Sequence, residues 1–254
     1  MQKKLIVSLG LALLAIVPLS ADIKYTMHME ARVTGSANDP ISQMAGGMLT
    51  QMFPAGGLDQ IVTTGDRGTR SEQKQAFATV KAGTVTLVRP DGAIIVIEPE
   101  TKTYWKQPVM SAELAAAMGG AKPDIKITKR GEFETINGMK AEHLTLVMTI
   151  AIPGIDASQL PPGMAPDLTM TYNVWVTDAV KASAGATSVA MTLMKQFGMD
   201  GVKELNDGRM MLKGVMSMFG VELVMTTSAM TNESVPASMF EVPADYKEVP
   251  GPIR

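Results

Sequence analysis

The sequence predicts a mainly β fold with helices (α+β), in which one curved antiparallel sheet is covered by two or three helices. Long segments of alternating apolar and polar residues indicate strands, and Asp-Gly and Asn-Gly turns join several of them into hairpins. A few segments with helical periodicity supply the cover. No linker rich in Ser, Gly or charge divides the chain, so we expect one domain at residues 22–254.

Residues 1–21 have the features of a secretory signal peptide. Lys3 and Lys4 form a short positive region, residues 5–17 are apolar, and Ala21 offers a small residue at the cleavage site. The apolar stretch is shorter than the roughly 20 residues that a membrane-spanning helix needs. We therefore expect cleavage after Ala21, a periplasmic or secreted bacterial protein, and no integral membrane span in the mature chain.

The mature chain is predicted to begin with a half-buried strand. Apolar and polar residues alternate with a period of two over residues 23–33. The apolar side of this strand carries Tyr25, Met27 and Met29. His28 lies on the other side among charged residues, which favours a solvent-exposed histidine over a metal ligand.

Residues 41–53 are predicted to form the main covering helix. Asp39 can cap it and Pro40 suits its first turn. Its opposite face is uncharged and contains Gly46 and Gly47, which cost about 1 kcal/mol each relative to alanine. Such a helix must lie against other parts of the protein. Its apolar stripe includes Met44, Met48, Met52 and Phe53.

Two hairpins are the clearest strand pairs. Asp91-Gly92 separates residues 84–89 from 93–98, and Asn137-Gly138 separates 124–136 from 139–152. In the second arm of the latter hairpin, Met148 lies on the more apolar side.

The other elements follow weaker signals. Alternation predicts strands at residues 168–177, with Met170 and Tyr172 on one side, and at 221–231. Residues 101–106 continue in extended form. Helices are predicted at 112–118 and 188–197, a proline-rich loop at 153–166, and a surface tail at 239–252. The segment 199–219 mixes glycine, methionine and charge, and it permits no assignment.

Several of these segments resemble periplasmic proteins with the LolA-like (lipoprotein-carrier-like) fold. The early strands match in GDRGTRSEQ and TLVRPDGAIIVIEPETKTYW, within residues 65–105, and the central hairpin matches in GEFETINGMKAEHLTLVM. The next matches, in the same order, are YNVWVTD, GVELVMTTSAM and a closing Phe-x-x-Pro-x-x-Tyr motif that runs from Phe240 to Tyr246. The resemblance is to uncharacterised secreted relatives more than to the carrier itself. It implies an open half-barrel whose concave face, lidded by helices, can hold acyl chains, and it brings no catalytic residues.

Composition excludes several classes of function. The chain has no Cys, which removes disulfides, thiolate metal sites and cysteine catalysis. Without the signal segment, 21 basic residues face 25 acidic ones, so the cationic footprint of a nucleic-acid-binding protein is missing. His143 is the second of two histidines, and no nucleophile, phosphate-loop or zinc pattern accompanies it. We expect no enzyme activity and no cofactor.

Methionine is the commonest large apolar residue, with 22 Met against 18 Leu. A thioether can bind Cu(I), but Met27 and Met29 point away from His28, so they do not form a metal site with it. Methionine also fills irregular space and adapts to varied apolar partners.

We therefore hypothesise a non-enzymatic periplasmic protein that holds a lipid, an acyl chain or another hydrophobic ligand in a methionine-rich groove. The alternatives are an interaction module for another envelope protein and, third, a Met-rich Cu(I)-binding protein. The candidate ligand-binding residues are Tyr25, Met27, Met29, Met44, Met48, Met52, Phe53, Met148, Met170 and Tyr172.

Overall fold

A computed structural model provides the structure of the protein. It describes residues 22–35, 42–43, 46–47, 53–77, 80–107, 124–151, 167–183, 185, 208–218 and 220–251. The predicted signal peptide lies outside the described residues. So do the helices predicted at 112–118 and 188–197, the loop at 153–166, and most of the helix predicted at 41–53.

Twelve strands lie within these described ranges. In chain order they are β1 (Asp22–Val33), β2 (Leu58–Gly65), β3 (Gly68–Gln73), β4 (Val85–Val88), β5 (Ile94–Glu98), β6 (Thr103–Gln107), β7 (Asp124–Ile136), β8 (Met139–Ala151), β9 (Asp167–Lys181), β10 (Arg209–Met218), β11 (Val221–Glu233) and β12 (Lys247–Glu248). A short 3-10 turn occupies Ala237–Phe240.

All twelve strands belong to one sheet, in the order β12-β6-β5-β4-β3-β2-β1-β11-β10-β9-β8-β7. Two meanders, β1 to β6 and β7 to β11, meet at the antiparallel pair of β1 and β11. Among these described strands, only the short β12 pairs in parallel, with β6. The single large sheet agrees with the open antiparallel sheet that the LolA-like resemblance implies.

The strand and hairpin predictions are largely confirmed. Asn137 and Gly138 both have positive φ, 51° and 78°, as the tight turn between β7 and β8 requires. β1, β7 and β8 have almost the predicted bounds, and β4 and β5 flank the Asp91-Gly92 turn. The segment with no assignment contains β10.

The predicted helical lid is wrong: the part of the chain that the structure describes is nearly all β, and apart from one 3-10 turn it contains only isolated helical positions. Five positions of the helix predicted at 41–53 are described: residues 42, 43, 46 and 47 are helical and residue 53 is not. At β4 and β5 the C-terminal tail packs on the face of the sheet opposite to Met29, where Val242 and Tyr246 contact the buried cluster of Val85 and Ile97. Phe240 in the same tail is 5% exposed, so the tail is not purely a surface segment.

Candidate functional site

One face of the sheet carries an uninterrupted apolar row that crosses six neighbouring strands. Directly opposite residues on paired strands point to the same face. The row is therefore fixed by register alone. It consists of Ile127 (β7), Leu146 (β8), Tyr172 (β9), Met216 (β10), Leu223 (β11) and Ala31 (β1). We call it the first row, and the face that carries it the apolar face.

A second row lies two residues along the same strands. It consists of Leu144 (β8), Val174 (β9), Gly214 (β10), Met225 (β11), Met29 (β1) and Leu58 (β2). On the other side of the first row, Met148 pairs with Ile125 and Met170, and Val33 pairs with Val221. Measured along the strands, the apolar face is thus three residues long both on β8 and β9 and on β11 and β1.

Burial decreases from the second row towards the strand ends. Leu144 and Val174 are 0% and 1% exposed, and Leu58 is 1% exposed. Met216 and Met170 are half-buried, and Val33 is 50% exposed. The face therefore combines a packed base with a partly accessible apolar band.

The first row ends at a cavity of about 220 Å³. Ala31 and Val33 of β1 line it together with Phe53 and Pro54. Phe53 also contacts Phe77, with ring centroids 5.0 Å apart. Glu30 is the charged residue of the lining, and its carboxylate is paired with Arg32. A cavity of this size can take the end of a chain or one ring, not a whole lipid.

The structure places six of the sequence-predicted site residues on the apolar face. They are Tyr25, Met27, Met29, Met148, Met170 and Tyr172. Phe53 lines the cavity, whereas Met44, Met48 and Met52 lie outside the described residues. Sequence reasoning missed Met216 and Leu223 in the centre of the first row. The period of two over residues 221–225 was a signal for Leu223.

Tyr172 is held in place by its neighbours on β10. Its hydroxyl donates a hydrogen bond to Met211 Sδ at 3.0 Å. Gly214 lies beside it, and a Cβ at that position would come within 2.7 Å of the Tyr172 oxygen. A glycine in the second row is therefore required for the tyrosine ring to lie against β10.

Burial raises the pKa of both Tyr25 and Tyr172 to about 12. An acid whose folded-state pKa is raised keeps its proton longer than the unfolded chain does, so stability falls between pH 10 and pH 12. We expect a spectrophotometric titration to show two tyrosines that ionise late. Tyr25→Phe should remove one late transition and lessen the alkaline loss by about 2–3 kcal/mol. Two ordinary titrations near the usual tyrosine pKa of about 10 would contradict the burial of these side chains.

The opposite face of the sheet, which we call the polar face, carries both histidines together with two buried apolar clusters, one around Leu87 and Ile95 and one around Ala141 and Leu212. The ring of His143 stacks on Trp175 with centroids 4.3 Å apart, and its Nε2 lies 3.1 Å from Asn173 Oδ1. Lys213 Nζ lies 4.3 Å from the centroid of the same Trp175 ring. His143 is 8% exposed, so this is a packed structural cluster. Within the described ranges, no three His, Asp or Glu side chains come together as metal ligands would.

His28 also lies on the polar face, where it pairs with Asp59 of β2 at 2.8 Å. The hydrogen bond from His28 lowers the pKa of the Asp59 carboxyl. Stability from this pair is therefore present above the unfolded pKa of Asp59 and is lost as pH falls through its lower folded pKa. Thermal unfolding of Asp59→Asn should differ from wild type at neutral pH and converge with it in acid. Because both side chains are over a third exposed, we expect at most about 0.5 kcal/mol.

A family comparison matches residues 47–246 of this chain, which include β2 to β11 and the 3-10 turn. The chain belongs to the family described as Domain of unknown function (DUF4412). The DUF4412 match thus includes most of the sheet and its apolar face. No match was found among curated proteins. No helix within the described residues has the length and apolar character to cross a membrane.

Two solved structures are similar over most of their length. An uncharacterized conserved protein from Thermus thermophilus is 10% identical, with a TM-score of 0.43, and the match covers 91% of each chain. LprF from Mycobacterium bovis is 15% identical, with a TM-score of 0.28, and the match covers 87% of this chain and 90% of that one. Neither similarity identifies a ligand or a function for this chain.

Proposed function

We propose that this protein is a non-enzymatic binding protein of the bacterial periplasm or extracellular space that holds a hydrophobic ligand on its apolar face. The observation that carries the proposal is the first row, which runs across six strands, is half-buried over its central part and ends at the cavity beside Ala31. Five inter-strand steps of about 4.8 Å make the row roughly 24 Å long. Such a row is long enough to support an extended acyl chain.

The driving force of binding is the removal of methylene groups from water. Each buried methylene contributes about 0.8 kcal/mol, from which the entropy lost on binding is subtracted. Met148, Met170 and Met216 are unbranched and polarizable, so they adapt to chains of different shape. This property favours a class of hydrophobic ligands over a single rigid compound.

The position of the polar groups supports binding without catalysis. Both histidines lie on the polar face, where His28 contacts Asp59 and His143 contacts Trp175. The proposed ligand surface presents thioethers, aliphatic groups and the Tyr172 hydroxyl, which is already bonded to Met211. None of these groups is an activated nucleophile or a general base.

The test is organic extraction of the protein purified from its native compartment, followed by mass spectrometry. We expect a reproducible set of co-purifying lipids and saturable binding of a fluorescent acyl probe. Absence of both would overturn the proposal. Sequencing the N-terminus of the exported protein tests the location, since cleavage after Ala21 would leave Asp22 first.

A further inference from the structure

The side chains of the apolar face become polar on passing from β1 to the neighbouring strands β2 and β3. Met27 pairs directly with Gln60, and Gln60 pairs with Gln73, so all three side chains share the apolar face. Gln60 Nε2 donates a hydrogen bond to Gln73 Oε1 at 2.9 Å. A row that is methionine on β1 is therefore amide on β2 and β3.

Two polar groups at the end of this amide row are buried without a hydrogen-bond partner among the described residues. They are Gln73 Nε2 and Thr84 Oγ1, in residues that are 6% and 5% exposed. The two residues are neighbours, because the backbone N–H of Gln73 donates a hydrogen bond to the backbone carbonyl of Thr84 at 3.0 Å. In this structure Gln73 Oε1 accepts the bond from Gln60, so the Nε2 hydrogens of Gln73 have no partner among the described residues.

Unpartnered buried donors are unfavourable, and folded proteins satisfy nearly all of them with protein groups, water or ligand. Here the backbones of the two residues are hydrogen-bonded, and by strand alternation both side chains belong to the same face as the methionines. Gln73 is two strand spacings, roughly 10 Å, from Met27. A chain that lies over the β1 methionines can therefore carry a polar atom as far as Gln73.

We infer that Gln73 and Thr84 form a subsite for an uncharged hydrogen-bond acceptor, the carbonyl of an ester or amide, on the hydrophobic ligand. This inference rests on the proposed function and names the ligand class as neutral acyl esters or amides. An amide N–H and a hydroxyl are uncharged donors, so they match a neutral carbonyl. A carboxylate bound there would lose its hydration without gaining an opposite charge.

The experiment compares a long-chain fatty acid methyl ester with an alkane of equal heavy-atom number as competitors of a fluorescent acyl probe. We expect the wild-type protein to prefer the ester about fivefold, the contribution of one neutral hydrogen bond. Gln73→Met keeps the length of the side chain and removes its donors, so it should abolish the preference. The matched control is Gln75→Met, because Gln75 is exposed and contacts Asp59 instead.

Each outcome decides between the two claims. Equal binding of ester and alkane by the wild type, or an ester preference that survives Gln73→Met, overturns the subsite and leaves the proposed function intact. A buried water molecule that satisfies Gln73 would also make the wild type bind ester and alkane equally. Failure of both competitors and of the probe itself overturns the proposed function. If Gln73→Met does not fold, as judged by circular dichroism, Thr84→Val gives the same reading from the second polar group.

Discussion

Replacing Met216 with glutamate is expected to weaken acyl-probe binding at least tenfold. Met216 lies at the centre of the first row, between Tyr172 and Leu223, and it is half-buried. A bound chain would remove the new carboxylate from water with no cation opposite it. The effective penalty for burying such an ion is several kcal/mol, and about 1.4 kcal/mol already corresponds to tenfold in affinity. Fluorescence titration of the probe measures the change.

The matched control is Thr171→Glu. Thr171 precedes Tyr172 on β9, is half-buried like Met216, and points to the polar face, where it pairs with Ser217. This variant adds the same charge one strand away, so we expect wild-type affinity. Met216→Leu should also bind normally, since it keeps the apolar surface. An unchanged affinity for Met216→Glu, or an equal loss for Thr171→Glu, would mean that the apolar face is not the binding surface.

The strands that the sequence predicts well are those in which local alternation and tertiary burial agree. Over β8 and β9 the period of two separates Met148 and Met170 from the polar positions, and the register of the two strands then brings both residues together. The Asn137-Gly138 turn sets the neighbouring hairpin in the same way, because few residue pairs adopt two positive φ angles. The positions of Met148 and Met170 in the candidate site follow from these local signals.

β10 could not be predicted for a physical reason. Its register with β9 shifts between Met211 and Lys213, where an extra residue moves the side chains that follow to the other face. Met211 consequently faces Val176 while Lys213 lies over Trp175. The period of two is broken at this point, and Gly214 gives no apolar signal. Met216, at the centre of the first row, is therefore invisible to periodicity.

The amide row illustrates a different limit. Gln60 and Gln73 lie 13 positions apart, and nothing in the local sequence marks either as buried. Their shared face appears only when β2 and β3 are paired in register. The same is true of the tail that covers β4 and β5, since Val242 and Tyr246 meet Val85 across a long sequence separation. Long-range pairing, not propensity, decides these contacts.

Replacing Leu144 with alanine is expected to lower the free energy of unfolding by about 2–5 kcal/mol. Leu144 is 0% exposed and packs in a cluster with Leu146, Val174 and Val176. The change removes buried methyl groups and leaves a cavity that two paired strands cannot close, because their backbone hydrogen bonds fix the spacing. Urea unfolding followed by circular dichroism measures the loss, and an unchanged m value would show that the same surface is exposed on unfolding.

Leu223→Ala makes the same chemical change on the same face, where the side chain is only half-buried. We expect about half the loss in unfolding free energy, since less apolar surface leaves water there when the chain folds. For probe binding we expect the opposite order. Leu223→Ala should lose more affinity than Leu144→Ala, because Leu223 lies in the first row and Leu144 lies in the packed base. If Leu144→Ala lost affinity more than Leu223→Ala while remaining folded, the second row would be the ligand surface. The division of the apolar face into a base that stabilises the sheet and a band that binds would then be wrong.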